Sequence, residues 1–189
     1  MNLLICSPYG SGIGSVVYNV TSQLQKMGIN CTYCSLVGKE VERCRKIELC
    51  DRNLLKKFAI FRPLYFLYSV IYFWYKAAKY IEKNFSKYDV IWLHNPSPIF
   101  FRIPRNMYKK TLVTIHTTKH GRPFNLYNRV IGKLEKKFYN SNNVDCRFTA
   151  VSPQVCNELE EIGIIKERIT YIPNGADTEL FKPSDSKKC

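Results

Sequence analysis

The first 36 residues constrain the fold more than any other stretch of the chain. "NLLICS" (2–7) is apolar and short, as a strand buried on both faces should be. "PYGSGIG" follows as a glycine-rich turn. "IGSVVYNVTSQLQKM" then sets Val16, Val17, Val20 and Leu24 on one side of a helix, which Gly28 closes. "INCTYCSL" (29–36) reads as a second strand. A strand, a glycine loop, a helix and a strand in this order imply a parallel sheet with a right-handed crossover.

The alternation continues to the end. Strands are expected at 88–95, 109–116, 147–152 and 168–175, and helices at 62–85, 124–140 and 153–163. Residues 37–51 read as charged and irregular. On the helix at 124–140, Leu126, Val130, Ile131, Leu134 and Phe138 share the apolar face. The fold class is therefore α/β: a Rossmann-like, doubly wound, mainly parallel sheet with helices on both faces. At 189 residues the chain fits one such domain, over 1–183, with a polar tail or the start of a linker at 184–189.

The helix at 62–85 is unusually aromatic. Its uncharged run from Pro63 to Tyr75 reaches about 20 Å as a helix, too short to span a bilayer. Two roles fit. It is a core helix packed on the sheet, or it dips into a membrane interface, with Arg62, Tyr65, Tyr68, Trp74 and Lys76 as contacts.

A formal charge of +14 calls for an anionic counterpart: nucleic acid, acidic lipid or phosphorylated ligand. The charge is concentrated. Between Arg102 and Lys137 there are ten lysines or arginines and one acid, Glu135. No nucleic-acid recognition motif accompanies it, and aromatics do not interleave as a stacking platform, so nucleic acid is not expected. With no secretory leader evident, reduced thiols and a cytoplasmic location are expected for the eight cysteines. Cys31 and Cys34 form a C-x-x-C, but strand alternation points them to opposite faces, which is wrong for chelation.

In an open parallel sheet, ligands bind beyond the carboxyl ends of the strands. Gly10, Gly12 and Gly14 follow the first strand, where backbone can approach a phosphate at a helix N-terminus. A nicotinamide dinucleotide would want an acid at the end of the second strand, where Ser35, Leu36 and Val37 stand instead. His94 and Asn95 end the third strand read here. His116 ends the fourth, with Thr117, Lys119 and His120 behind it. Such a histidine either polarises a substrate oxygen or is a satisfied structural residue. His116 and His120 have a metal-like spacing, but their loop setting and the lack of a carboxylate partner argue against a metal.

These loops together resemble the retaining GT-B glycosyltransferases of family four. "GSGIGSVVYNVTSQLQKMGINCTY", "VIWLHNP", "LVTIHTT", "FTAVSPQV" and "ITYIPNGADTELFKP" follow the family's order, over nearly the whole chain except 37–87. The resemblance implies the N-terminal, acceptor-side half of a two-domain enzyme. It implies sugar transfer from a nucleotide-diphosphate sugar with retention of configuration, and neither cofactor nor metal. Carried over by position, His116 is the catalytic candidate that contacts the donor sugar. Gly10, Gly12, Gly14, Ser152, Asn174 and Gly175 are donor or phosphate candidates, with Asp177 in the same interdomain segment. His94, Asn95, Thr117, Lys119 and His120 are acceptor-side candidates. The family's donor-binding domain, with its E-x7-E segment, is not within these residues. A larger enzyme or a partner chain would supply it, and the alternatives are a non-catalytic assembly module or a subunit of a split glycosyltransferase. The basic run and the aromatic helix suit a lipid-linked acceptor and a peripheral location at the inner face of a membrane.

Overall fold

The computed structural model describes residues 1–8, 12–35, 44–49, 62–97, 105–120, 126–139 and 146–175. They form seven strands: β1 (Asn2–Ser7), β2 (Asn30–Ser35), β3 (Arg45–Glu48), β4 (Val90–His94), β5 (Thr111–Ile115), β6 (Arg147–Ala150) and β7 (Ile169–Tyr171). Four α-helices accompany them: α1 (Ile13–Lys26), α2 (Arg62–Asn84), α3 (Leu126–Tyr139) and α4 (Pro153–Ile162). The strands lie in the order β3-β2-β1-β4-β5-β6-β7, and every neighbouring pair is parallel. The doubly wound reading is thus the observed fold.

Alternation along the central strands separates two cores. Leu3 and Ile5 of β1 join Cys31 and Tyr33 of β2 against Val17 of α1. Leu4, Cys6 and Cys34 face the other way, with Ile91, Leu93 and Val113, and meet Phe73, Trp74, Ala77 and Ile81 of α2 and Leu159 and Ile162 of α4. Cover on both faces explains why β1 reads as a continuous apolar run. It also separates Cys31 from Cys34, as the strand periodicity requires.

Three expectations need correcting. The stretch 37–51 contains β3, four residues, RKIE, paired with β2. Its charges fit an edge strand, where Lys46 and Glu48 pair at 3.4 Å and Ile47 packs against the core. Trp74 is 4% exposed and sits in the core, so its ring is not available to a membrane in this fold. The apolar face assigned to α3 is also turned. Gly132, Glu135 and Tyr139 are its buried residues, Ile131, Leu134 and Phe138 are half-buried, and Leu126 and Val130 are exposed. The side chains of Arg62, Tyr65 and Tyr68 lie outside the described residues. No helix among the described residues is long and apolar enough to cross a membrane.

Candidate active site

β1 pairs with β2 on one side and β4 on the other, so successive connections diverge between β1 and β4. A cleft opens beyond the strand ends at such a point. Gly12, at φ +45, begins α1 there, a left-handed conformation that favours glycine. Its carbonyl accepts from the N–H groups of Ser15 (3.1 Å) and Val16 (3.2 Å). Among the described residues no side chain caps this end, and no acid lies in the first turn. The leading N–H groups of α1, near half-buried Gly14, are those a helix leaves for an anion. Gly10 lies outside the described residues, as does Asp177.

The ends of β4 and β5 are locked together. His94 Nδ1 lies 3.1 Å from His116 Nε2, with the rings stacked at 28°. His94 is fully buried, and its Nε2 has no hydrogen-bond partner among the described residues. So placed, the His94 ring meets the rim through its contact with His116. Trp92 packs its ring 4.4 Å from His94 and donates its indole N–H to Thr114 Oγ1 at 2.7 Å. Thr114 in turn shares a 2.6 Å bond with Thr149 on β6.

Asn95 clasps the same junction. It takes φ +45, which asparagine tolerates better than most residues. Its Oδ1 accepts the His116 N–H at 2.7 Å, and its own N–H donates to the Thr114 carbonyl at 2.9 Å. The backbone of His116 is thereby fixed by a neighbouring strand. Its pKa is pushed down to about 4 by burial. His94 is held well below its ordinary value by burial and by His116. Both rings are neutral at pH 7. His116 can therefore give or take a hydrogen bond, but it is a poor base and carries no positive charge there.

Two buried glutamates hold the loop that follows. Glu135 Oε2, on α3, accepts the backbone N–H groups of both Lys119 and His120 at 2.8 Å. Thr118 Oγ1 donates to Glu158 Oε2 of α4 at 2.6 Å, and Gln154 Nε2 donates to its Oε1 at 2.8 Å. Gly132 admits the loop. A Cβ there would lie 2.9 Å from His120 Cα. Burial pushes the Glu135 carboxyl up, while the His120 and Lys119 amides pull it down. Neither glutamate, nor Gly132, was picked out by sequence reasoning. Glu135 had left one signal, as the only acid in the basic run.

The remaining candidates separate. Ser152 caps α4, its Oγ accepting the Val155 N–H at 3.2 Å. Thr117 and Lys119 are half-buried in the His116 loop, beside Asn95. His120 turns Nε2 toward Glu161, 3.8 Å away, while His116 turns its own toward His94, so these two histidines do not converge on one ion. Among the described residues no three metal-ligating side chains cluster. Asn174 and Gly175 lie exposed beyond β7. On α2, the Lys76 ammonium stands over the Tyr72 ring at 5.3 Å.

Residues 10–180 match the family model described as Glycosyltransferase Family 4. No curated protein matches the chain. Among solved structures, it is similar to a glycosyltransferase from Rickettsia africae ESF-5, with TM-score 0.60, 19% identity, and coverage of 99% of this chain and 46% of that one. It is also similar to Anabaena HepE in complex with UDP and glucose, with TM-score 0.57, 15% identity, and coverage of 98% and 47%. At such identities the likeness is one of fold. The chain spans about half the length of these solved structures.

Proposed function

The chain belongs to glycosyltransferase family 4, and we propose that it forms the acceptor-side wall of an enzyme that moves a sugar from a nucleotide-diphosphate donor with retention of configuration. The observation that carries this reading is the His94–His116 pair at the carboxyl rim, beside the uncapped start of α1. Retaining transfer develops positive character on the sugar and negative charge on the departing diphosphate. In this proposal the N–H groups leading α1 face the phosphates. His116, neutral and fixed by His94 and Asn95, makes a directed hydrogen bond to a donor sugar oxygen. A neutral ring supplies orientation without repelling the developing positive charge.

HepE binds UDP and has been solved with UDP-glucose, so uridine-diphosphate sugars are the first donors to test. The other half of the donor site is proposed to come from a second domain or a partner chain. The acceptor is proposed to be lipid-linked.

The test is sugar transfer by the complete enzyme, or by this chain combined with its donor half. His116→Ala is expected to lower kcat by two orders of magnitude or more, as loss of a positioned transition-state contact does, while the protein stays folded with a stability loss of about 1–3 kcal/mol from the buried His94 nitrogen left unpaired. Transfer at the wild-type rate would remove His116 from the mechanism. An inverted product anomer, read by NMR, would remove retention alone.

A further inference from the structure

His116 is the first residue past the β5 ladder, so the path of the loop behind it sets its backbone angles. The stretch His116–His120 reads HTTKH and offers no Val, Ile, Leu, Met or Phe to the core. Its shape therefore rests on polar contacts, and each residue has one. The His116 N–H donates to Asn95 Oδ1 at 2.7 Å, and the Thr117 carbonyl accepts from Asn95 Nδ2 at 3.4 Å. Thr118 Oγ1 donates to Glu158 Oε2 of α4 at 2.6 Å. The N–H groups of Lys119 and His120 both donate to Glu135 Oε2 of α3, each at 2.8 Å.

Glu135 differs from the other holders. One oxygen closes two consecutive amides, so its loss frees the far end of the stretch in a single step. The residue is 7% exposed, where an acid is costly unless hydrogen-bonded. Gly132, one turn earlier on α3, lets the His120 backbone approach closely enough to be reached. A helix serving only as cover would set apolar side chains at these two positions.

We propose that Glu135 is a positioning residue for sugar transfer: it grips the loop from behind and so fixes where the His116 ring stands at the carboxyl rim. Asn95 and His94 hold His116 from the β4 side, and Glu135 closes the other end of the same stretch. A ring that must meet one substrate oxygen gains most from being held at both ends, since a displacement of about 1 Å can cost a hundredfold in rate. The effect on transfer rests on the glycosyltransferase reading; the hold on His116 does not.

The chain has three histidines, so their ring signals can be followed separately in a carbon–proton NMR spectrum of the full chain, without donor or acceptor. Glu135→Ala is expected to move the His116 ring signal. Glu135→Gln, which keeps an oxygen for both amides, is expected to return it. Glu135→Asp stops one methylene short and should move the signal too, which covers an Ala variant that unfolds. A His116 signal at its wild-type place in a folded Ala or Asp variant would overturn the proposal. Transfer by the complete enzyme, or by this chain with its donor half, then separates position from fold. Glu135→Ala should lower kcat about ten- to a hundredfold with donor KM changed by less than about twofold, and Glu135→Gln should restore most of the rate. On a His116→Ala background the same change should cost less than about twofold, because nothing is left to position. Losses that multiply in full would make Glu135 a support of the fold alone and overturn the proposal. Wild-type transfer by His116→Ala would remove the catalytic reading of His116, and the ring signal would still decide whether Glu135 holds it.

Discussion

His94 Nδ1 and His116 Nε2 stand 3.1 Å apart across two parallel strands, and burial keeps both rings neutral at pH 7. The pair has a pH signature. Its folded pKa values lie below the ordinary histidine range. Between about pH 6.5 and about 4 the unfolded chain therefore binds more protons than the native one. Stability from these histidines is complete above that window and is lost as pH falls through it. NMR titration should show the His116 ring changing state near pH 4. A midpoint at the ordinary histidine value would contradict the burial assigned to it.

Glu135→Ala strips the acceptor from two backbone N–H groups, at a cost of about 1–3 kcal/mol for each left buried and unpaired. Amide exchange at Lys119 and His120 should quicken. Glu135→Gln, which keeps a side-chain oxygen, should restore most of the protection. Equal protection in wild type and both variants would show that the carboxylate does not hold the loop.

Gly132→Ala sets a gain in helix propensity of about 1 kcal/mol against overlap with the His120 backbone. The added Cβ would meet His120 Cα at 2.9 Å and His120 N at 3.0 Å. Backbone cannot swing aside as a side chain can, and overpacking of this kind costs about 1–3 kcal/mol. The variant should be less stable in urea despite its better helix former. A higher midpoint would mean that the loop yields.

Trp74→Ala should destabilise the protein by about 3–5 kcal/mol, as removal of a buried aromatic does. Trp74→Phe should cost much less, since the indole N–H it deletes is buried without a hydrogen-bond partner among the described residues. A Trp74→Ala variant as stable as wild type would contradict the core placement of this ring.

Fold class was legible because parallel strands covered on both faces leave continuous apolar runs, and NLLICS and LVTI are such runs. β3 was not, since a four-residue edge strand needs only one inward side chain, Ile47, and its charges read as loop. The aromatic helix α2 kept two meanings in sequence. Which of its rings are inside depends on the sheet beneath, and only packing places Phe73 and Trp74 there. On α3 periodicity found the amphipathic pattern but assigned its apolar side inward. Tertiary contacts chose the Gly132, Glu135 and Tyr139 side instead, because a glycine allows close approach and a carboxylate answers two loop amides. His116 was visible as a histidine ending an apolar strand. Its partner His94 lies 22 residues away, and no local pattern announces which strands will be neighbours.

All seven strands run the same way, so the candidate site residues collect at one rim, while among the described residues the opposite rim carries strand starts and turns. That second rim is open to engineering. The turn at Met27 and Gly28 is exposed, and no Cβ clash arises at Gly28. A fluorophore on a cysteine placed at Met27 would sit at the far end of β1 and β2 from His116, and could report on the assembled protein without entering its cleft.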